Sequence, residues 1–311
     1  MTPATRTINF ARDLSGHPVG LTLVEYSSGK PGPRLAITAG VHGDEIAGIE
    51  IVRRVATRLA GGLLCGTVLS VPLVNVLSFA RETRALPGQE DVNRRFASRE
   101  GVPSYLSELA RVLSDEVLSR CDLVIDLHSA RRNTEYHPHL RIDDANPVTV
   151  RIAHEFGCAV IVATPAPPGS LRAFAQDNGI PALTYEAGEA LRYHAAGIEA
   201  GVSGVCNVMA SMNMLPRSSH AVEAPRILSR VTWVRTLETG LLRTDCTLGT
   251  RIRAGAVLGF VSTITGDTLA TIRAPVSGTV VGRATLPLVY SGDRVALIAH
   301  DETADETLTG T

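Results

Sequence analysis

"ITAGVHGDEIAGIE" (residues 37–50) joins an apolar run to a helical pattern through a turn that carries His42 and Glu45 beside glycines. The run begins at Arg34 as RLAITA and predicts a buried strand, while Ile49, Val52, Val55 and Leu59 recur behind it at helical spacing. Asp44 is an acidic residue suited to a helix start. His42 and Glu45 are therefore expected on a strand-to-helix turn. A structural turn alone would not require the histidine.

Outward from this unit, from about residue 20 to 215, short runs rich in Val, Ile and Leu alternate with helical periodicity. Further strands are predicted at residues 67–74, 122–127, 159–164 and 182–185. The fold class expected is α/β, a mostly parallel or mixed sheet flanked by helices. Beyond Pro216 the chain turns to short β-like runs broken by Gly and Pro, so two units are predicted, residues 1–216 and an all-β unit at 217–311. VRTLETGLL (234–242) and IRAPVSGTV (272–280) align at an offset of 38, with Arg235 over Arg273 and Gly240 over Gly278. Two related halves predict a small quasi-symmetric barrel or sandwich. The closing residues, DETADETLTGT, are polar and expected to fray.

Composition removes several classes of function. A formal net charge of −1 over 311 residues, without a block of like charge, leaves no basic excess to neutralise phosphates, so nucleic acid is not an expected partner. The first twenty residues lack an apolar h-region and no stretch approaches a membrane span; a cytoplasmic protein without membrane contact is the expectation. Five scattered cysteines without CxxC spacing suit neither a disulfide framework nor a thiolate zinc site. Lys30 is the only lysine, which argues against a P-loop and rules out a biotinyl or lipoyl swinging arm in the C-terminal unit.

In an open α/β sheet, ligands bind beyond the carboxyl ends of the strands. Those ends carry GVHGDE with His42 and Glu45, Asn75, DLHS with His128, and YEAGE with Glu186. Two imidazoles and a carboxylate are the ligand set of catalytic zinc sites that keep one position open. Asp126 or a backbone carbonyl is a candidate to orient a ligand imidazole, although Asp126 is expected to alternate away from the crevice.

On these residues the chain resembles the succinylglutamate desuccinylase/aspartoacylase family, which shares its core fold with the zinc carboxypeptidases. The likeness also rests on TRALPGQEDVNRRF (83–96), DLHSA (126–130), GSLRAFAQDNGIPALTYEAGEALRY (169–193) and GVSGVCNVM (201–209), and covers most of residues 34–300. The resemblance implies one zinc per chain on His42, Glu45 and His128, with Glu186 as general base. Arg84 would polarise the scissile carbonyl, and Asn93 and Arg94 would hold a substrate carboxylate. Arg172 is either a second carboxylate contact or a loop-fixing salt bridge. Glu189 is the rival to Glu186 and is assigned to a helix start. His137 and His139, in ARRNTEYHPHLR (130–141), are read as loop residues that touch substrate. Tyr290 is taken as the tyrosine that the C-terminal unit sends to the site. That unit also resembles a lipoyl or biotinyl domain, through APVSGTVVG, without the attachment lysine.

The activity implied is zinc-dependent hydrolysis of the amide bond of a small N-acyl amino acid or related amine, in a possible homo-oligomer. The alternatives are a zinc carboxypeptidase acting on peptides and a catalytically silent metabolite-binding protein on the same fold.

Overall fold

The computed structural model describes residues 2–96, 104–143, 146–217 and 224–301. The first unit runs β1 (Ala4–Arg12), β2 (Pro18–Ser27), β3 (Arg34–Ala39), α1 (Ile46–Leu59), β4 (Thr67–Val71), α2 (Val76–Phe79) and α3 (Tyr105–Glu116). It continues with β5 (Leu123–Ala130), β6 (Thr134–Ile142), α4 (Pro147–Phe156), β7 (Val160–Ala163), α5 (Leu171–Asp177), β8 (Ala182–Glu189) and α6 (Ala195–Ser211). Strands β9 (Arg226–Leu228), β10 (Arg230–Arg235), β11 (Gly240–Thr244), β12 (Arg251–Ile252), β13 (Val257–Ser262), β14 (Thr268–Arg273), β15 (Gly278–Ala284), β16 (Leu288–Val289) and β17 (Arg294–His300) make the C-terminal unit all-β.

The α/β expectation holds, with a mixed sheet. Strands β4, β3, β5 and β8 lie side by side in parallel, whereas β1 and β2 extend one flank antiparallel and β6 lies antiparallel to β8. The predicted strand at 67–74 stops at Val71, because Pro72 has no N–H to continue the ladder. Strands β5 and β8 instead outrun their predicted ends, so His128 and Glu186 face each other inside a paired ladder and not at free strand ends.

Strand alternation decides what each face carries. Leu35, Ile37 and Ala39 of β3, and Leu123, Ile125 and Leu127 of β5, enter the core covered by α1, α4 and α6. Ala36 and Val124 point the other way, into the core covered by α3 and α5. Residues of that second parity nearer the strand ends, Asp126, His128, Thr184 and Glu186, emerge in a cleft that those two helices leave open. Helix boundaries follow local chemistry: Asn146 accepts from the N–H groups of Val148 and Thr149, Pro147 opens α4, and left-handed Gly157 ends it.

Strand β6 joins the two units. Its first residues pair with β15 and its last with β7, so one sheet runs from the α/β layer into the C-terminal unit. The Arg283 guanidinium meets Glu135 at 3.0 Å across this seam. The internal repeat is the pair of crossings β10–β11 and β14–β15, each passing between the large sheet and a four-stranded one. Gly240 and Gly278 open the second strand of each crossing, and a Cβ at either would collide with a carbonyl oxygen, of Ser262 or Ala299. The boundary drawn at 216/217 lies next to residues 218–223, which fall outside the described residues, as does all but Asp301 of the tail (301–311) expected to fray. Among the described residues no helix is long and apolar enough to cross a membrane.

Candidate active site

The turn after β3 holds its two functional side chains by close packing. A Cβ at Gly43 would overlap the backbone nitrogen of Phe79 and the carbonyl carbon of Ser78, so only glycine lets the turn sit against α2. The Glu45 N–H donates to the His42 carbonyl at 3.2 Å, and the Asn75 N–H donates to the Gly40 carbonyl at 2.8 Å. Asp44 does not cap the helix as expected. Glu45 occupies the cap position, while Asp44 is buried with Oδ1 unpartnered and its carbonyl receives the Leu191 N–H. Burial, then the nearby Glu45 carboxylate, pushes the Asp44 carboxyl up.

The turn and β5 bring the three candidate ligands together. His42 Nδ1 lies 2.8 Å from Glu45 Oε1, His128 Nδ1 lies 2.7 Å from Glu45 Oε2, and the two Nδ1 atoms are 3.2 Å apart. All three side chains are buried. The outer nitrogens each face a carboxylate: His42 Nε2 meets Asp91 at 2.9 Å and His128 Nε2 meets Asp126 at 2.6 Å. With Nε2–H donating to those acids, both Nδ1 lone pairs point at each other across the Glu45 carboxylate. That arrangement is repulsive unless a cation or a proton lies between them. Zinc with bonds near 2.0–2.1 Å would space tetrahedral ligands by about 3.3 Å, close to the 3.2 Å separation seen. The donor set therefore fits zinc. Burial opposes ionisation of Glu45, yet the His42 and His128 imidazoles hold it well below its ordinary value. Burial likewise opposes a charged His128, and the Asp126 and Glu45 carboxylates overcome it and raise that imidazole well above its usual range.

Asp126 corrects the expectation that it alternates away. It stands two residues before His128 on one strand, and so shares its face. Its other oxygen accepts the Thr38 hydroxyl at 2.7 Å, which fixes the carboxylate that fixes the imidazole. Asp91 was missed from sequence, although it sits in the DVNR stretch. Besides His42 it accepts from Arg84 at 2.9 Å and from the Asn93 N–H.

Glu186 reaches the same cleft from β8. Its Oε2 is buried without a hydrogen-bond partner, and Oε1 lies 3.5 Å from Arg141 Nε. Burial pushes its carboxyl up, with Arg141 and His128 opposing. Glu189 is the last residue of β8 and does not start a helix; its carboxylate accepts the Asn133 N–H at 2.7 Å and does not line the cleft.

Arg84 donates to Glu45 at 2.6 Å and to Asp91. Asn93 and Arg94 lie on a single 3-10 turn (Val92–Arg94) and line the cleft; Asn93 Oδ1 accepts the Leu171 N–H at 2.8 Å. Arg95 turns instead to Glu90. Arg172 also lines the cleft, but makes no salt bridge among the described residues: its guanidinium donates to the carbonyls of Thr164 and Pro165, and burial lowers it to about 10.

Three expectations fail. Tyr290 is 69 % exposed in the turn before β17 and does not line the cleft. The C-terminal unit reaches the site through Trp233 and Arg294 instead, and Tyr136, Arg131 and Arg141 complete the wall. His137 and His139 belong to strand β6 and do not line the cleft. His137 packs against Gly249, whereas His139 is wholly buried, its Nδ1–H donating to the His137 carbonyl at 2.8 Å.

Burial, then repulsion from Arg141, pushes the His139 imidazole down to about 3. It is neutral in the folded chain and takes up a proton on unfolding below its unfolded value near 6.5. Its stabilising contribution is therefore complete above pH 6.5 and is lost as pH falls toward 3, by about 1.4 kcal/mol per unit. Denaturant unfolding of wild type and His139→Gln at pH 7 and pH 5 should show wild type losing about 2 kcal/mol more than the variant. Equal losses would mean that the imidazole is protonated in place.

The cleft has a cavity volume of about 270 Å³. A larger groove, of about 970 Å³, lies beside Arg226, Arg251 and Arg253, away from the three ligands. The small cleft, walled in part by the C-terminal unit, suits a small molecule better than a peptide chain.

Residues 31–212 match the sequence model of the succinylglutamate desuccinylase/aspartoacylase catalytic domain. The N-alpha-acetyl-L-2,4-diaminobutyric acid deacetylase of Halomonas elongata is 25 % identical over 286 residues, 86 % of this chain and 82 % of the relative. The succinylglutamate desuccinylase of Yersinia pseudotuberculosis is 34 % identical over 142 residues, 42 % of this chain and 41 % of its own. Among solved structures, a succinylglutamate desuccinylase/aspartoacylase from Rhodobacter sphaeroides superposes with a TM-score of 0.82 at 24 % identity, covering 96 % of this chain and 95 % of that one. The product-bound ectoine utilization protein EutE (DoeB) of Ruegeria pomeroyi gives 0.83 at 22 % identity, with the same coverage. With more than half of its length matched by the catalytic-domain model, the chain belongs to the succinylglutamate desuccinylase/aspartoacylase family, whose members are hydrolases that remove acyl groups from amines.

Proposed function

We propose that this chain is a zinc-dependent amidohydrolase that cleaves the acyl group from a small N-acyl amino acid. The reading rests on one observation: two imidazole lone pairs and the Glu45 carboxylate converge in a cleft that Glu186, with one oxygen unpartnered, also lines. His42, Glu45 and His128 would hold the metal, with Asp91 and Asp126 orienting the two rings.

A zinc ion bound there would polarise a carbonyl oxygen and lower the pKa of a water molecule. Glu186 is the proton carrier: it takes the proton of the attacking water as the new C–O bond forms, then passes it to nitrogen as the C–N bond breaks. Its burial raises the carboxyl pKa, which favours the second transfer, the return of the proton to nitrogen by way of a held acid. Arg84 spends two N–H groups on Glu45 and Asp91, and a guanidinium has five, so donors remain for the oxyanion. Asn93 and Arg94 supply the polar end of the cleft for the α-carboxylate.

The test is elemental analysis of the purified protein, paired with assays on N-acetyl and N-succinyl amino acids. About one zinc per chain, amine release, loss of more than 90 % of the rate on chelation and recovery with zinc are the expected results. A zinc-loaded protein that binds such compounds without cleaving them would favour the silent metabolite-binding protein.

A further inference from the structure

The sequence holds no block of like charge, yet the fold gathers three arginines along the groove of about 970 Å³. Arg226 opens β9, which is placed by its pairing with β7. Arg251 opens β12, where it pairs with Thr279 of β15, and Arg253 follows two residues later. The groove shares no lining residue with the catalytic cleft. The rest of its wall is largely neutral: Leu228, Thr279 and His300 are buried, and Ile227 and Ile252 are apolar. His300 has both ring nitrogens engaged, one by the Thr232 hydroxyl at 2.9 Å and the other by the Asp301 carbonyl at 3.0 Å. The guanidiniums, by contrast, are scarcely used. Among the described residues, those of Arg251 and Arg253 make no hydrogen bond or ion pair, and that of Arg226 makes one hydrogen bond, at 3.5 Å to the Gly249 carbonyl. Other arginines of the C-terminal unit are committed: Arg235 donates to the Gly292 carbonyl, Arg273 to the Gly255 carbonyl, and Arg283 to Glu135. Asp301 also lines the groove, and among the described residues its carboxylate pairs with none of the three.

Three guanidiniums on one groove concentrate positive charge, and without protein partners their planar forks stay available to a ligand's oxygens. A phosphate monoester brings about −1.5 to −2 charges at pH 7 and three acceptor oxygens, whereas a lone carboxylate offsets one guanidinium. Inorganic phosphate would leave most of the space unfilled, since a cavity of about 300–1,000 Å³ holds a whole small molecule. A nucleic acid would call for basic surface well beyond the groove, and the chain's formal net charge is −1. We propose that the groove binds a small organic phosphate, its phosphate group held by Arg226, Arg251 and Arg253 and its body resting on the neutral wall. The site is separate from the catalytic cleft, and the inference is independent of the hydrolase reading.

Calorimetric titration of the full chain at about 150 mM salt tests this without requiring turnover. Adenosine 5′-monophosphate is compared with adenosine, and ribose 5-phosphate with ribose. At least one phosphate should bind about tenfold or more tighter than its unphosphorylated counterpart, and tighter than inorganic phosphate or citrate. The double variant Arg251→Gln/Arg253→Gln changes only exposed side chains and should lower that affinity by about tenfold or more. Arg273→Gln removes the same charge from an arginine that is already committed, and should keep the affinity within about threefold. Absence of a phosphate preference, binding that survives the double variant, or an equal loss in Arg273→Gln would overturn the site. Survival would place the phosphate elsewhere, the catalytic metal included. Citrate or a DNA duplex binding as tightly, with the same dependence on Arg251 and Arg253, would overturn the ligand class. A chain cut after Asp301 loses the acids Glu302, Asp305 and Glu306 and should bind within about threefold of the full chain. A gain of more than about tenfold would instead make that segment the groove's own occupant.

Discussion

Glu186→Gln is expected to lower kcat by about 10²- to 10⁴-fold while zinc content stays near one per chain. The amide has nearly the shape of the carboxyl group, so the β8 pairing with His128 and His139 should survive. What it lacks is the ability to take up and release a proton. The sign of the pH effect follows from burial, which raises this carboxyl. The base works ionised, so wild-type rate should climb as pH rises through the raised pKa, and the variant should lose that limb. Stability runs the other way. A carboxyl with a raised folded pKa favours the folded chain below that pKa and loses its advantage as pH rises above the unfolded value near 4.3. At pH 8 the glutamine variant should therefore melt no lower than wild type. Full turnover by a zinc-loaded variant would remove Glu186 from the mechanism, whereas a lowered melting temperature would point to a folding defect.

Gly43→Ala should cost the protein its metal. The added methyl would overlap backbone atoms of Ser78 and Phe79, which cannot swing aside as a side-chain terminus can. The turn must move, and His42 and Glu45 ride on either side of it. Metal sites tolerate displacements of only about 0.5 Å, so zinc content should fall more than tenfold and the rate with it. Overpacking of this kind costs about 1–3 kcal/mol, and far-ultraviolet circular dichroism should still report a folded chain. His128→Ala, which removes a ligand far away in sequence, should match the metal loss without a steric clash. One zinc and a wild-type rate in Gly43→Ala would show that the turn yields without moving its ligands.

Local features were legible without the fold. RLAITA is both the predicted and the observed strand at Arg34–Ala39, because an apolar run bounded by Pro and Gly needs no distant partner to be recognised. His42, Glu45, His128 and Glu186 were readable because three short segments deliver them, and their cleft forms where those segments end. The strands that escaped prediction have two different origins: β1 and β2 form a local hairpin that the mostly exposed residues of β1 conceal, whereas β6 depends on an edge shared by the more distant β7 and β15.

The rest was decided in three dimensions. Asp91 orients His42 from 49 residues away, and no spacing rule encodes that contact. Tyr290 and Arg294 stand four residues apart, yet only Arg294 meets the cleft, because strand β17 starts there while Tyr290 lies in the turn outside it. By itself the sequence determined the family and the residues proposed as ligands and base, all matters of residue identity and short-range order. Which arginines and which aromatic ring wall the cleft depended on how β15 docks on β6, a contact across about 150 residues whose register is chosen by packing of the whole sheet.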